Sequence, residues 1–216
     1  MRLIQYPVIR FHAFHPDLVY VAKNSTNRLI PNYHSALIVW GYVNGIDPVD
    51  IAAQFTNDVY AEAGYYDYWD TWAKKLEIEF ESCGLSFRDF ILAAKREGVF
   101  MYTFDHPKPS ALAILTKLIG RKLGAPDQTI PRYLDIDDHL HGSSWPCYPE
   151  IARSYLTEGS FLWQIDGRFL NLREFIDLSY ERCRAENLQR DDYYTSQLSE
   201  IHARLGRTLG NRLRVQ

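Results

Sequence analysis

The chain has 216 residues, a formal net charge of −3 and 46% hydrophobic residues, which suits one globular core. The slight negative charge excludes a protein that binds nucleic acid through a broad basic surface. Three widely spaced cysteines (Cys83, Cys147 and Cys183) exclude a disulfide framework and a CxxC zinc site, and they favour a reducing compartment. No apolar run reaches the roughly 20 residues that a membrane span requires.

The residue pattern predicts an α/β fold that is predominantly helical, with a small sheet of a few short strands packed by about seven helices. Residues 3–21 alternate like strand, turn and strand. Apolar periodicity, capping residues and glycines predict helices over 33–43, 47–57, 65–83, 86–97 and 109–123, one that Asn171 and Glu174 cap, and one from near Asp191. Asp166-Gly167 predicts a small hairpin near 161–170.

We expect two regions along the chain. Residues 1–170 form a single α/β domain of catalytic type, and residues 171–216 form a carboxy-terminal helical pair packed on it, with a basic tail. Residues 125–150 contain four prolines and an acidic run, and a loop of this length in a compact domain is usually functional or a lid.

The stretch from Val99 to Ala111 places ionisable groups at a rigid turn. Val99–Phe104 is aromatic, β-branched and uncharged, which predicts a short buried strand. Asp105, His106 and Lys108 follow it, held by two prolines, and the second proline suits the first position of the next helix. Ligands commonly bind at such strand ends in sheets backed by helices, so we expect a pocket here.

Five short motifs occur in the same order as in a known family. They are Tyr-Pro-Val at 6–8, Phe-His-Pro-Asp at 14–17, Tyr-His-Ser-Ala at 33–36, Phe-Met-Tyr at 100–102 with His-Pro at 106–107, and Trp-Pro-Cys-Tyr-Pro-Glu-Ile at 145–151. Together, over roughly residues 5–160, they resemble the WcbI-type enzymes of bacterial capsule and polysaccharide biosynthesis.

The resemblance implies a cytoplasmic acetyltransferase that binds coenzyme A. Its acetyl donor would be acetyl-CoA, its acceptor a sugar hydroxyl of a polysaccharide precursor, and its partners other proteins of polysaccharide assembly. Members of the family normally begin with an α/β segment whose first strand ends in a Gly-Asn-Cys-Gln-like loop, and this sequence has no such motif. We therefore expect a truncated chain, a dispensable loop or a loss of activity.

Acetyl transfer to a sugar needs a base, and histidine titrates near neutrality. The candidates are His15 and His106, each in a proline-locked turn, and we expect their rings to meet at one sheet edge. Adjacent strand residues point to opposite faces, so Asp17 is a better partner for His106 than Asp105 unless the turn bends there. The structural alternative is that His106 only caps backbone groups in the turn.

Four residues are candidates for binding coenzyme A. Lys108 and Arg10 lie on or beside the histidine loops and could meet its phosphates, while His34 and Ser35 open a buried helix whose N-terminus could do the same. The alternative for that helix is that Asn32 or Ser35 merely caps it.

Two other functions remain open from the sequence. The first is a non-catalytic module that binds coenzyme A or a glycan. The second, weaker one is a metal-dependent hydrolase, whose ligands would come from His12, His15, His139, His141 and the acidic run Asp135, Asp137 and Asp138. These histidines lie on loops without a fixed ligand geometry, so we expect no metal.

Overall fold

The computed structural model describes residues 5–23, 28–29, 33–126, 142–190 and 195–212. The helices of these residues are α1 Ala36–Val43, α2 Pro48–Ala52, α3 Asn57–Ala63, α4 Tyr68–Ser82, α5 Phe87–Arg96, α6 Pro109–Lys122, α7 Pro149–Ser154, α8 Leu172–Ala185 and α9 Ser196–Arg212, with 3-10 turns at His12–Phe14 and Tyr65–Asp67. The prediction of a mostly helical fold is confirmed. No helix among these residues has the length and apolar character needed to cross a bilayer.

The strands form three separate antiparallel pairs instead of one small sheet. The strands are β1 Leu18–Val19, β2 Ala22–Lys23, β3 Arg28–Leu29, β4 His34–Ser35, β5 Trp163–Ile165 and β6 Arg168–Leu170, paired as β1–β4, β2–β3 and β5–β6. The hairpin predicted near 161–170 is confirmed, with its turn at Asp166-Gly167. The strand predicted within residues 3–11 is not formed by the described residues 5–11, which run without a ladder.

The strand predicted over Val99–Phe104 is wrong, because the chain turns back too soon. The Tyr102 N–H donates to the His106 carbonyl at 2.8 Å, and the Lys108 N–H donates to the Phe100 carbonyl at 2.9 Å. Residues 100–108 therefore form a tight turn-back, here called the 100–108 hairpin. Phe100 and Met101 are fully buried, so their apolar character reflects the core and not a longer strand.

Helix α1 lies at the centre of the core, as its uniformly apolar sequence predicts. Its residues from Ala36 to Gly41 are buried, and α8 packs against α1 and α2 while α9 packs against α1 and α3. The helix predicted over 47–57 is shorter in the structure, since α2 ends at Ala52, and a separate helix, α3, begins at Asn57. A division of the chain into regions at residue 170 stays a prediction.

The carboxylate of Asp17 ties the start of α1 to two distant tyrosines. The backbone carbonyl of Asp17 accepts from the Ala36 N–H at 2.8 Å, and its Oδ1 accepts from the Leu37 N–H at 3.0 Å. Oδ1 also accepts from the Tyr65 hydroxyl at 2.5 Å, and Oδ2 accepts from the Tyr148 hydroxyl at 2.6 Å. Burial, and then the negative charge of Asp17, raise the pKa of both tyrosines well above the usual value.

Two buried histidines, His12 and His15, and the half-buried His202 are held as neutral rings. Burial lowers the pKa of His12 to about 4, that of His15 to about 3 and that of His202 to about 4. His12 Nε2 lies 2.7 Å from the Leu18 carbonyl, and His202 Nε2 lies 2.9 Å from the Ala36 carbonyl. Because a carbonyl only accepts, these nitrogens carry the proton of the neutral ring.

We predict that Asp17→Asn destabilises the fold by about 2–4 kcal/mol, because an amide leaves one buried tyrosine hydroxyl facing another donor. The free energy of unfolding from urea titration measures this loss. The exposed Asp50 in the first turn of α2 gives a matched control, for which Asp50→Asn should cost less than about 1 kcal/mol. Equal losses in the two variants would contradict the role given to Asp17.

Stability should fall as the pH drops from about 6.5 to about 4. In this window the unfolded chain protonates these histidines while the folded chain keeps them neutral, so the free energy of unfolding decreases. His202→Gln keeps a donor for the Ala36 carbonyl and removes one such proton. Urea titrations across this window should then show a slope shallower by roughly 1.4 kcal/mol per pH unit. An unchanged slope would show that His202 is not held neutral.

Candidate active site

The 100–108 hairpin is held between the amino-terminal segment and the chain before α7. The Phe11 N–H donates to the Phe104 carbonyl at 2.7 Å on one side, and the Trp145 N–H donates to the Tyr102 carbonyl at 2.7 Å on the other. Phe104 also stacks on the His12 ring, with centroids 4.7 Å apart. The hairpin is therefore fixed at both edges, and the side chains near its tip have a defined position.

His106 and Asp105 form a hydrogen-bonded pair at this tip. His106 Nδ1 lies 3.0 Å from Asp105 Oδ1, 2.7 Å from Thr103 Oγ1 and 3.2 Å from the Tyr33 hydroxyl. The Thr103 and Tyr33 hydroxyls each donate to the same carboxylate oxygen at 3.0 Å. The His106 side chain is 44% exposed and that of Asp105 is 25% exposed, so the pair can meet a ligand.

The surroundings of Nδ1 determine the tautomer of His106. Both hydroxyls give their proton to Asp105, and a carboxylate only accepts, so every partner of Nδ1 offers a lone pair. In the neutral ring Nδ1 therefore carries the proton and Nε2 carries the lone pair. Nε2 forms no hydrogen bond with any residue that the structure describes. This is the arrangement that a general base requires.

The prediction that Asp17 is the partner of His106 is wrong. Both carboxylate oxygens of Asp17 are used by Tyr65 and Tyr148, and the side chain is buried. Asp105 takes the orienting position instead, because the chain bends within the hairpin and brings neighbouring side chains to the same side. The rule that adjacent residues alternate holds only for an extended strand.

His15 does not join His106 in a shared cavity. Its ring is 1% exposed and lies near the backbone of Trp145 and the positive charge of Lys108, and neither nitrogen has a hydrogen-bond partner of ordinary geometry. Among the described residues, no hydrogen bond or ring contact links it to His106. Catalysis by His15 stays a prediction, and its enclosure makes it the weaker of the two candidate bases.

The helix-terminal candidates lie away from the surface. Ser35 Oγ accepts from the Ile38 N–H at 3.1 Å, so Ser35 caps α1. His34 is buried in β4, opposite Val19 of β1.

Arg10, in contrast, is exposed and lies next to Phe11, whose backbone N–H bonds to the 100–108 hairpin. Contacts of these three residues with coenzyme A stay predictions.

A cavity of about 320 Å³ opens beside Lys108, here called the Lys108 cavity. Its polar wall includes Ser144, Ser160 and Glu158, and Cys147 and Trp145 also line it. Trp145 packs edge-on against Tyr33, which bonds to His106, so these two residues connect the cavity lining to the His106–Asp105 pair. Burial raises the pKa of the Cys147 thiol to about 12, while the charge of Lys108 acts in the opposite direction.

The described residues contain no group of three or more His, Cys, Asp or Glu side chains that could hold a metal ion. His12 is engaged with the Leu18 carbonyl. Asp135, Asp137, Asp138, His139 and His141 lie outside the described residues.

Sequence reasoning missed Tyr33 and Thr103, which complete the surroundings of His106. Tyr33 directly precedes His34 in one of the five motifs, and Thr103 lies between Tyr102 and the acidic turn. Neither position carries a local signal of its role, because the contact from Tyr33 spans 72 residues. Trp145 and Cys147, by contrast, belong to the motif at 145–151, and this motif is the sequence signal that could have identified them as site residues.

Comparison with known proteins identifies the family. The sequence model of the polysaccharide biosynthesis enzyme WcbI matches residues 1–128, more than half of the chain. No curated protein sequence matches significantly. One solved structure is similar, with a TM-score of 0.65 and 18% identity, over 98% of this chain and 69% of the other. That structure is of WcbI, which is described as a novel polysaccharide biosynthesis enzyme. It is the native protein without a disulfide bond between coenzyme A and one of its cysteines. The two proteins share a fold, and this chain belongs to the WcbI family of polysaccharide biosynthesis enzymes.

Proposed function

We propose that this protein is a coenzyme A-dependent O-acetyltransferase that modifies a sugar hydroxyl during surface polysaccharide biosynthesis. The observation that carries the proposal is the half-exposed imidazole of His106, whose Nδ1 is held by Asp105 in a member of a polysaccharide biosynthesis family. A base of this kind is the group that hydroxyl acylation needs, because a neutral sugar hydroxyl is a weak nucleophile.

In the proposed reaction, His106 Nε2 takes the proton of the sugar hydroxyl while that oxygen bonds to the acetyl carbonyl carbon. The carbon–sulfur bond of the thioester then breaks, and the proton passes to the departing thiolate of coenzyme A. Asp105 stabilises the imidazolium formed between the two steps and keeps the ring in the required tautomer. Thr103 and Tyr33 fix the carboxylate through their hydroxyl protons.

The Lys108 cavity is the proposed site for the phosphates of the donor and the adjoining part of its pantetheine arm. Its volume of about 320 Å³ lies at the lower end of the roughly 300–1,000 Å³ usual for small-molecule sites. Ser144 and Ser160 offer hydroxyls to the amides of the pantetheine arm, and Lys108 offers a cation to the phosphates. Glu158 repels the same phosphates, so the two charged residues should affect the affinity for coenzyme A in opposite directions.

A non-catalytic binding module is the second candidate function. The related WcbI structure is described as a native form without a disulfide bond between coenzyme A and one of its cysteines, whereas Cys83, Cys147 and Cys183 are all buried here. Binding of coenzyme A without acetyl transfer would favour this candidate.

Under either function we propose a cytoplasmic location, since all three thiols are free and donors of this kind are cytoplasmic metabolites.

His106→Ala should lower acetyl transfer to a sugar acceptor by about 10²–10⁴-fold, because the proton acceptor is removed. Asp105→Asn should lower it at least about tenfold, since an amide no longer stabilises the imidazolium. Both side chains are partly exposed, so the melting temperature should change little. Turnover equal to that of the wild type in His106→Ala would remove this residue from the mechanism.

Lys108→Met should weaken the binding of coenzyme A by roughly tenfold or more, whereas Glu158→Gln should strengthen it, because the ligand is a polyanion. Isothermal titration calorimetry measures both changes. Lys117 is an exposed lysine of α6 outside the cavity, and Lys117→Met should bind as the wild type does. Equal affinities in the lysine variants would show that the phosphates lie elsewhere.

A further inference from the structure

A second and larger cavity separates α4 from α9. Its volume is about 400 Å³, and it lies between one face of each helix, with His12 and the α3 terminus also contributing. We call it the α4–α9 cleft. No residue of this cleft belongs to the His106–Asp105 pair or to the Lys108 cavity. It is therefore a separate site.

The α4 wall of the cleft is aromatic. Tyr68 and Trp72 lie one turn apart on α4, and both pack edge-on against the His12 ring, with centroids 5.5 Å away. The Lys75 ammonium lies 4.3 Å from the centroid of the Trp72 ring. The exposed Lys75 side chain would have to leave this face before the C–H groups of a pyranose, which carry the same partial sign, could stack on it.

The α9 wall of the cleft is polar. Gln197 donates from Nε2 to the Tyr68 hydroxyl at 3.1 Å, which fixes the amide across the cleft. Arg204 bonds to Glu200 at 2.8 Å and to Asp67 at 3.5 Å. Planar groups locked in this way present donors and acceptors in fixed directions, which suits the adjacent hydroxyls of a sugar.

The charges of the cleft balance. Asp67 and Glu200 oppose Lys75 and Arg204, and the guanidinium is already neutralised by both carboxylates. A phosphorylated or strongly anionic ligand would find no excess of positive charge here. A neutral polyhydroxylated ligand with one apolar face matches the aromatic wall, the fixed polar wall and the charge balance together.

We infer that the α4–α9 cleft binds a neutral pyranoside unit of the acceptor glycan. The identity of the ligand as acceptor rests on the proposed acetyltransferase function, whereas the recognition of a sugar rests on the cleft alone. The two sites are connected by rings, because His12 stacks on Phe104, Phe104 contacts Tyr33, and Tyr33 bonds to His106.

Thr71 provides a test that leaves the core intact. It is an exposed residue of α4 that lines the cleft, and its hydroxyl donates to the Asp67 carbonyl one turn earlier. Thr71→Arg should fill the cleft and weaken the binding of methyl glucoside, galactoside and mannoside by at least about tenfold. Thr116 is the matched control, since it is exposed on α6 with the same backward hydrogen bond, and Thr116→Arg should bind these glycosides as the wild type does.

A second variant addresses the aromatic wall. Trp72→Ala should weaken binding of the same glycosides by about tenfold, while truncation of the exposed Phe169 outside the cleft should not. Saturation-transfer NMR and titration of tryptophan fluorescence provide the affinities, and melting temperatures show that each variant is folded.

The outcomes separate the cleft from the reaction. Sugar binding that Thr71→Arg abolishes, with coenzyme A binding unchanged, supports the inference. If the wild type binds none of the three glycosides, or Thr71→Arg binds them equally well, the cleft is not a sugar site. If Thr71→Arg abolishes sugar binding but the wild type transfers no acetyl group, the cleft is a sugar site and the proposed function is wrong.

Discussion

The carboxylate of Asp17 is the contact on which the rest of the fold depends. It accepts hydrogen bonds from the first turn of α1 and from the hydroxyls of Tyr65 and Tyr148, all in the interior. Tyr148 fixes the segment that supplies Trp145 and Cys147 to the Lys108 cavity. Tyr65 begins the 3-10 turn before α4, and α4 supplies one wall of the cleft. One buried acidic group thus positions parts of both sites, although it belongs to neither.

The helices were predictable because their signals are local. Asp47 with Pro48, Ser86, and Asn171 with Glu174 cap helices where the sequence predicts them. The hairpin at Asp166-Gly167 follows from the same kind of local rule, since both residues adopt positive φ angles. The sequence predicts a pocket near residues 99–111 from an apolar run followed by ionisable residues and two prolines, and the Lys108 cavity lies beside that stretch.

The geometry of the site was not predictable, because it depends on contacts between distant residues. The pairing of Asp105 with His106 contradicts the alternation of a strand, and only the early turn of the hairpin explains it. Tyr33 reaches this pair across 72 residues. The Phe-His-Pro-Asp motif suggested catalysis at His15 and Asp17; both residues are buried, and their catalytic role stays a prediction. Motifs therefore pointed to segments of the chain without indicating which of their side chains are exposed.

The bond between Tyr148 and Asp17 joins residues 131 positions apart. During synthesis on the ribosome, Asp17 and α1 emerge well before Tyr148, so this carboxylate lacks one of its partners until residue 148 has emerged. Until then, the nascent amino-terminal part lacks the hydrogen bond from Tyr148 to Asp17. Chaperone engagement during translation is most useful to this protein in that interval.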